Sequence, residues 1–376
     1  MRVLHVQKAS GVNGAERHLL TLLPALARRG FDVAAWVMVN DDGPSYVRQL
    51  RAAGAEVTSV AAGPDANPVA AARLVAQVRR HRPDLLHSHL VHGDVYGTAV
   101  ARVTGVPLVS SVHGCPAFLR RPPLRAVGRA VARNAAHRIA ISTAVASFLD
   151  ELGLALPGRL TVIPYGIDQA RWAPQEGEVE AARRSYGVGP DEVVVGVASR
   201  LIAHKGHDVL VDAMALVRAE HPHARLMVAG TGPLEAALVA QARDRLGDGA
   251  RFLGFVDDVR TFMLACDVIA FPTAPEFGEG FGLAALEAMA AARPVVGTPF
   301  GAIADLVVDG ECGLIVPPNE PPALARALAS LVADGPRRAA MGEAATARAA
   351  TRFSLEAMVD ATAEVYREVG PSRTGV

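Results

Sequence analysis

The sequence predicts an α/β fold with two domains, each a parallel β-sheet flanked by helices. Short apolar strands alternate with helical segments along almost the whole chain, which is typical of repeated strand–helix–strand units. Two of these units carry a glycine-rich loop between strand and helix, after residues 2–7 and after residues 267–271. A stretch rich in Pro, Gly and acidic residues at 173–178 is typical of a linker. The domains are therefore predicted at residues 1–170 and 171–352.

The first domain opens with a strand, a glycine loop and a helix. That helix is predicted to run to Arg29 and end at Gly30, because glycine accepts the left-handed conformation common after a helix C-terminus. Ser142 is predicted to cap a later helix. The predicted strands lie at 2–7, 32–39, 56–60, 85–89, 107–112 and 139–142, and the other predicted helices lie at 69–80 and 93–103.

The second domain repeats the same alternation. Asp258 is predicted to be a helix N-cap, which explains the pair Asp257-Asp258 better than a metal site does. Ser354 is predicted to cap the last helix, which runs to residue 368. The predicted strands lie at 193–198, 225–229, 251–256, 267–271, 294–297 and 313–317, and one helix lies at 207–218.

Composition narrows the class of protein. With 376 residues, 51% hydrophobic residues and a formal net charge of zero, the chain favours neither disorder nor a nucleic-acid partner. Its three cysteines have no metal or disulfide spacing, and no apolar run approaches the length of a membrane span. We therefore expect a cytoplasmic protein. Of its 38 basic residues only Lys8 and Lys205 are lysines.

The clearest chemical signal lies at residues 272–289. A glycine-rich loop leads into a helix expected to begin near Gly282, whose free N–H groups favour a phosphate. Glu279 lies on the loop, and Glu287 lies about five residues into the helix, or roughly 7–8 Å along its axis. A carboxylate accepts two hydrogen bonds side by side, which suits the diol of a ribose. The pattern predicts a nucleotide-sugar site with ribose beside Glu287 and sugar beside Glu279.

A structural alternative exists for both glutamates. Glu279 could be a solvated loop acid, and Glu287 an acid near the positive end of a helix. However, Glu279-Gly280-Phe281-Gly282-Leu283, followed by Glu287-Ala288-Met289, resembles the paired-glutamate motif of retaining GT-B glycosyltransferases (group 1, family 4-like). This resemblance implies two Rossmann-like domains facing a cleft. It also implies that the donor is bound by Gly280, Phe281, Gly282, Leu283 and Glu287.

The resemblance extends to the first domain, which in this family holds the acceptor. Gly14-Ala15-Glu16-Arg17 resembles the loop that faces the donor diphosphate, which implies donor binding by Gly14. His113, at the tip of strand 107–112, resembles a histidine near the donor sugar; its alternative is an ordinary surface histidine. Tyr165 stands where the family more often has asparagine. The final helix, 353–370, is implied to cross back onto the first domain.

In the second domain Arg200 and Lys205 flank a strand-to-helix loop. The arginine fork and the compact lysine charge both suit phosphate oxygens, and a solvated basic loop is the alternative. A chain that otherwise uses arginine keeps lysine here, which favours a binding role. The stretch resembles the donor-phosphate motif of the family. Phe255 and Val256 resemble the segment that holds the nucleobase through backbone groups.

The resemblance implies a retaining hexosyltransferase that moves a sugar from a nucleoside diphosphate sugar to an acceptor hydroxyl, in glycan, glycolipid or glycoside biosynthesis. The implied catalytic residues are Glu279, His113, Arg200 and Lys205. The resemblance implies no metal and no other cofactor, with leaving-group charge stabilised by basic side chains and the helix at Gly282. Glu279 and Glu287 are not predicted to be a glycosidase pair, because Glu287 is assigned to the ribose.

Two other function classes are compatible with the sequence. One is a nucleotide-sugar epimerase or phosphorylase on the same scaffold, which net transfer to a second molecule would exclude. The other is a non-catalytic sugar-nucleotide binding protein, which donor hydrolysis or transfer above background would exclude. Neither the donor base, nor the sugar, nor the acceptor follows from the sequence.

His87, His89 and His92 form a separate cluster. Two of them share one face of a strand, which is compatible with zinc. No neighbouring acid or cysteine completes a ligand set, so the sequence predicts no metal site.

An arginine-rich helix is predicted after Pro122-Pro123. Between Phe118 and Leu149 there is no acidic residue. One predicted helix face carries Arg121, Arg125, Arg129 and Arg133, and the other side carries mainly Leu124, Val127, Gly128 and Val131. This pattern suits either a solvated face or contact with an anionic membrane or phosphate-bearing acceptor. The hypothesis is a lipid-linked or otherwise anionic acceptor, with peripheral contact at the inner face of the membrane.

Overall fold

A computed structural model describes residues 1–9, 11–40, 43–62, 67–274 and 280–371, and the chain divides into two compact units. Unit 1 holds Met1–Gly166 and the segment from Leu355 onward, and unit 2 holds Ile167–Ser354. The division falls before the predicted boundary at residue 170. Ile167 belongs to unit 2 because its N–H donates to the carbonyl oxygen of Phe353, 2.9 Å away.

The sheet of unit 1 is parallel throughout. Its strands among the described residues are β1 (Arg2–Ala9), β2 (Asp32–Val39), β3 (Glu56–Ala61), β4 (Leu85–His89), β5 (Leu108–Val112), β6 (His137–Ala140) and β7 (Leu160–Val162). Across the sheet their order is β3-β2-β1-β4-β5-β6-β7, so the direction of winding reverses between β1 and β4. In that central pair His5 lies opposite His87, and Gln7 lies opposite His89.

Helices cover both faces of this sheet. The helices before the last strand are α1 (Gly14–Arg28), α2 (Gly43–Ala52), α3 (Pro68–His81), α4 (Leu90–Thr104), α5 (Pro122–Asn134) and α6 (Thr143–Glu151). Successive residues of β1 point to opposite faces, so Val3 packs with Leu26 of α1 while Leu4 packs with Leu74 of α3. Each face of the sheet therefore has its own apolar core.

Unit 2 also contains a parallel sheet. Its strands in the described ranges are β8 (Val193–Ala198), β9 (Ala224–Ala229), β10 (Ala250–Phe252), β11 (Val268–Phe271), β12 (Val295–Gly297) and β13 (Gly313–Ile315). Their order is β10-β9-β8-β11-β12-β13, so winding reverses between β8 and β11. The helices are α7 (Gln169–Trp172), α8 (Glu178–Ser185), α9 (His207–Glu220), α10 (Glu235–Leu246), α11 (Val259–Ala265), α12 (Leu283–Ala290), α13 (Ile303–Leu306), α14 (Pro321–Ala333) and α15 (Gly335–Arg352).

The last helix, α16 (Leu355–Val369), belongs to unit 1. Met358, Val359 and Tyr366 are buried in the core that also contains Leu22 and Leu26 of α1. Arg29 adds an exposed ion pair with Asp360, at 2.9 Å between Nε and Oδ1. The packing of the C-terminal helix on the first domain is thereby confirmed.

Two local predictions differ from the structure. The stretch 173–178 is not the domain boundary, because it lies inside unit 2 between α7 and α8. Arg260 fixes both of its ends, donating to the carbonyl oxygen of Ala173 and to the carboxylate of Glu178. The strand predicted at 251–256 ends at Phe252, because Gly254 takes a left-handed φ of 66° that turns the chain out of the sheet.

No helix in the described ranges is long and apolar enough to cross a membrane.

Candidate functional site

In unit 2 the candidate residues lie at the point where winding reverses. The loop after β8 carries Arg200 and Lys205, and the loop after β11 leads to Gly282 and α12. Because β8 and β11 are neighbouring parallel strands on either side of the reversal, these loops leave adjacent carboxyl ends of the sheet. Ligands of open α/β sheets bind at this position, beyond the carboxyl ends of the strands.

Contacts show that the two loops are packed together. The N–H of Ala274 donates to the carbonyl oxygen of His204, 2.8 Å away. Gly206 has a φ of 66°, and a Cβ there would collide with the carbonyl oxygen of Pro272. Glycine is therefore required at the start of α9, both for its backbone conformation and for close approach of the second loop.

Phe271 links Lys205 to the N-terminus of α12. The Lys205 Nζ lies 5.2 Å from the centroid of the Phe271 ring, close enough for a cation–π interaction. A Cβ on Gly282 would lie 3.0 Å from Cζ of the same ring, and Gly282 has a φ of 88°. One aromatic ring thus places a half-buried ammonium group near the helix end, where free N–H groups attract anions.

The paired-glutamate motif is described only in part. Glu279 lies outside the described residues. Gly280, Phe281 and Gly282 are buried, and α12 begins at Leu283 with Gly282 as its N-cap, as predicted. Glu287 is the fifth residue of that helix and is buried, with a relative exposure of 6%.

The remaining donor-side residues lie on neighbouring loops. A glycine turn after β9 joins the loop after β8, because the N–H of Leu201 donates to the carbonyl oxygen of Thr231 at 2.9 Å. Gly230 in turn donates its N–H to the carbonyl oxygen of Gly254, 2.7 Å away. Phe255 and Val256 follow directly, and Phe255 is 64% exposed. An exposed aromatic ring beside these loops can stack on a planar ligand.

His207 is a residue of this region that the sequence did not single out. It is buried as the first residue of α9, and its Nε2 lies 3.1 Å from Ser199 Oγ. Its Nδ1 has no hydrogen-bond partner among the described residues. Burial, with a contribution from the Lys205 charge, lowers the pKa of His207 to about 4. His207 is therefore a neutral imidazole at physiological pH.

In unit 1 the corresponding reversal of winding lies between β1 and β4. Gly14 is the first residue of α1, and Glu16 accepts a hydrogen bond from the N–H of Asn13 at 3.1 Å. A Cβ on Gly14 would meet no described atom within 4 Å, so packing in this unit does not require glycine there. His89 ends β4 and His113 follows β5, so both lie at the same edge of the sheet.

His113 hydrogen-bonds through both ring nitrogens inside unit 1. Its Nδ1 lies 2.6 Å from Tyr165 Oη, and its Nε2 lies 3.0 Å from Nδ1 of His89. Nε2 of His89 lies 3.0 Å from Nδ1 of His5. The Tyr165 ring stacks on His18 of α1, with centroids 4.5 Å apart. We call the set Tyr165, His113, His89 and His5 the histidine relay.

Burial lowers the pKa of all five histidines around this edge. The pKa falls to about 3 for His5 and His18. It falls well below its ordinary value for His87, His89 and His113, chiefly by burial and further by neighbouring histidines. These imidazoles are therefore neutral at physiological pH, and each has one donor and one acceptor nitrogen.

His5 supplies the third ligand that the sequence argument against a metal did not find. One ring nitrogen from each of His5, His87 and His89 lies within 4.8 Å of the others, a spacing that could hold a metal ion. In the structure both His87 nitrogens already have hydrogen-bond partners, Tyr366 Oη at 2.5 Å and Ser111 Oγ at 2.7 Å. The absence of a metal site stays a prediction.

Sequence reasoning missed His5, His18 and Tyr366 because each is distant in sequence from its partners. A usable signal was present for His5. In a parallel sheet that winds outward from its first strand, β1 and β4 are neighbours. His5 and Gln7 on β1 therefore lie opposite His87 and His89 on β4.

Known proteins resemble the chain over both units. Residues 12–171 match the family described as Glycosyltransferase Family 4, and residues 192–334 match the family described as Glycosyl transferases group 1. A D-inositol 3-phosphate glycosyltransferase of Kineococcus radiotolerans is 34% identical over 406 residues, covering 96% of this chain and 91% of that protein. A D-inositol 3-phosphate glycosyltransferase 2 of Catenulispora acidiphila is 36% identical over 312 residues, covering 76% and 71%.

Among solved structures, the Anabaena protein Alr3699/HepE in complex with UDP-glucose is similar over nearly the whole chain. The TM-score is 0.86 with 26% sequence identity, covering 98% of this chain and 100% of that one. Sucrose-phosphate synthase from Thermosynechococcus elongatus has a TM-score of 0.80 at 22% identity, a likeness of fold.

Proposed function

Since the chain belongs to the group 1 glycosyltransferases of the GT-B fold, we propose that it transfers a hexosyl group from a nucleoside diphosphate sugar to an acceptor hydroxyl, with retention of configuration. The observation that carries the proposal is the arrangement around Phe271. A lysine ammonium and a helix N-terminus meet at the reversal of winding in unit 2, where a diphosphate would be held from two sides.

In this proposal the donor is bound by unit 2. Arg200 and Lys205 bind the diphosphate together with the N–H groups at the start of α12. Glu287, which is buried in α12, is assigned to the ribose by its place in the paired-glutamate motif, and its carboxylate can accept hydrogen bonds from both ribose hydroxyls. Phe255 and Val256 flank the base, and Gly280 to Leu283 form the wall of the site.

Catalysis follows from the charge that develops on the leaving group. The bond between the anomeric carbon and the diphosphate oxygen breaks while the acceptor oxygen bonds to the same carbon. The acceptor proton passes to the departing diphosphate, on the same face, which gives retention. Arg200, Lys205 and the helix dipole stabilise the new negative charge, the effect that usually contributes most in such reactions. Because this chain supplies that positive charge, the proposal needs no metal or other cofactor.

Glu279, Gly14 and His113 complete the proposed site. Glu279 is assigned to the donor sugar on the basis of its place in the motif. A Cβ on Gly14 would meet no described atom within 4 Å, and the lack of a side chain there supports close approach of a ligand to the start of α1. His113 is assigned to the sugar as well, although both of its nitrogens already have partners in unit 1.

The relatives suggest which substrates to test first. The Anabaena protein binds UDP-glucose in its crystal structure, which supports a uridine diphosphate sugar as donor. The names of the bacterial relatives, D-inositol 3-phosphate glycosyltransferases, support an acceptor that is a polyol phosphate. Screening uridine and guanosine diphosphate sugars by thermal shift, then by product release with and without inositol phosphate, tests both parts. Donor turnover without net transfer to any acceptor would contradict the proposal.

The arginine helix supports an anionic acceptor. Arg121 at the N-cap of α5 and Arg129 and Arg133 on it are exposed, and none of them forms an ion pair among the described residues. Leu124 and Val127 are exposed as well, at 38% and 40%, so apolar groups accompany the charges. Arg120 and Arg138 do not join this face, because Arg120 pairs with Glu151 and Arg138 is buried.

Vesicle co-sedimentation tests whether this face reaches a lipid-linked acceptor. Binding is expected only with anionic lipid, is expected to fall as salt rises, and should be lost when Arg125, Arg129 and Arg133 become Gln. Matched substitution of Arg102 on α4 and Arg171 on α7 should leave binding unchanged. Binding to neutral lipid, or binding insensitive to salt, would remove the membrane from the proposal.

A further inference from the structure

The histidine relay is a continuous, largely buried path of hydrogen bonds, and of its members only His113 has a role in the chemistry described above. It begins at Tyr165 and ends at His5, whose Nε2 is buried and has no hydrogen-bond partner in the described structure. Each link joins Nδ1 of one ring to Nε2 of the next. This repetition restricts the protonation of all three rings.

The rings must share one tautomer because each neutral imidazole has one donor and one acceptor nitrogen. If His113 is protonated at Nδ1, its Nε2 accepts, so His89 must donate from Nδ1. His89 then accepts at Nε2, so His5 must donate from Nδ1. The opposite choice at His113 reverses every link and gives three Nε2–H rings. A mixture of tautomers would set two donors or two lone pairs against each other about 3 Å apart.

The two options are three Nδ1–H rings or three Nε2–H rings, and they differ in what they leave at Nε2 of His5, which has no partner in the described structure. With Nε2–H rings, His5 would bury an N–H group without an acceptor. With Nδ1–H rings, it buries only an unused lone pair. A buried donor without a partner is rarer and costlier than an underused acceptor. The Nδ1–H direction is therefore favoured, and in it His113 donates to the hydroxyl oxygen of Tyr165.

We propose that the histidine relay holds His113 as an Nδ1–H imidazole, and that His89 and His5 are positioning residues acting through it. If a sugar hydroxyl takes the place of the Tyr165 hydroxyl, His113 presents a donor and not an acceptor. Tyr165, which accepts from His113, is left with its own O–H to donate elsewhere. The meaning of the relay for catalysis rests on the proposed function, whereas its tautomers do not.

Ring ¹⁵N NMR on the full-length protein without ligands measures the tautomers directly. The expected result is one protonated Nδ1 and one unprotonated Nε2 in each of His113, His89 and His5. This result needs no variant. Different tautomers among the three rings, or Nε2–H in all of them, would overturn the proposal.

Tyr165→Phe tests the coupling and keeps a ring to stack on His18. Without the hydroxyl acceptor, either direction leaves one unpaired donor, so the Nε2–H form should rise to roughly half in all three rings together. His87 is the internal control. It touches the His89 ring, with centroids 4.1 Å apart, but it hydrogen-bonds Tyr366 and Ser111 outside the relay. The tautomer of His87 should stay unchanged.

The alternatives give distinct results. A change at His113 alone, or an equal change at His87, would overturn the coupling. Stoichiometric binding of added Zn²⁺ that shifts the ring nitrogen resonances of His5, His87 and His89 would show a metal site instead and would also overturn it. Shared tautomers in a protein with no transferase activity would keep the relay and contradict the proposed function. Mixed tautomers in an active transferase would contradict the relay and leave the proposed function standing.

Discussion

Acidification should weaken unit 1 through its buried histidines. Burial lowers the pKa of His18 from 6.5 to about 3, and that of His5 by the same amount. A group with a lowered folded pKa takes up its proton first in the unfolded chain. The stability it contributes is complete above pH 6.5 and is lost as the pH falls from there toward the folded pKa.

The magnitude follows from the linkage relation. Between pH 7 and pH 5, one histidine with these pKa values costs about 2 kcal/mol of unfolding free energy. His5 and His18 together cost about 4 kcal/mol, and His87, His89 and His113 add to it in the same direction. Because whole domains are stable by only about 5–15 kcal/mol, unit 1 should become marginal near pH 5.

Urea unfolding monitored by tryptophan fluorescence can isolate this unit. Trp36 is buried in unit 1, and Trp172 lies in unit 2, so Trp172→Phe leaves one reporter. In that background His18→Phe keeps a ring against Tyr165 but removes one proton site. Below pH 6 the unfolding free energy of this variant should fall less steeply than that of its parent, and the two slopes should differ by about 1.4 kcal/mol per pH unit. Equal slopes in parent and variant, with equal m-values, would refute the reasoning.

Three further predictions concern unit 2. Lys205→Ala should weaken nucleoside diphosphate binding by about 1.5–3 kcal/mol in calorimetry. The control Arg245→Gln on α10 should leave this binding unchanged. Unchanged affinity of the Lys205→Ala variant for every diphosphate would remove Lys205 from the site. Glu287→Gln should lower affinity for free nucleotide, whereas Glu279→Gln should lower turnover only; an equal loss of nucleotide affinity in both would contradict the assignment. Gly282→Ala, at a φ of 88° and 3.0 Å from Phe271, should destabilise unit 2 by about 1–2 kcal/mol or more in urea unfolding. Gly177→Ala is the matched control, because Gly177 also has a left-handed backbone, at a φ of 77°, but no described atom within 4 Å of a Cβ; an equal loss would show that Phe271 does not matter.

Most of the fold was predictable because its signals are local. The helix start at Gly282 and the caps Ser142 and Asp258 were read from a few adjacent residues, and the structure confirms them. The bounds of the strands at 32–39, 85–89 and 193–198 were predicted to the residue, because each strand coincides with a run of apolar or alternating residues. Local chemistry and the final structure agree at these positions.

The errors arise where a distant contact decides. The stretch 173–178 has the composition of a linker, but Arg260, more than 80 residues later, binds both of its ends. The relay was missed for the same reason, since its histidines are brought together by the register of β4 against β1 and β5. A single sequence gives the residues of such a network but not their pairing.

The two units place different chemistry at the same topological position. In unit 2 the reversal of winding gathers positive charge, from Lys205 and a helix end, around Phe271. In unit 1 the corresponding edge gathers imidazoles whose pKa is lowered by burial, so they are neutral. Charged groups bind and stabilise phosphates, whereas neutral imidazoles donate and accept single hydrogen bonds with fixed direction. Under the proposed function, we infer that unit 2 stabilises the charge of the leaving group, and that the imidazoles of unit 1 contribute directed hydrogen bonds to hydroxyl groups.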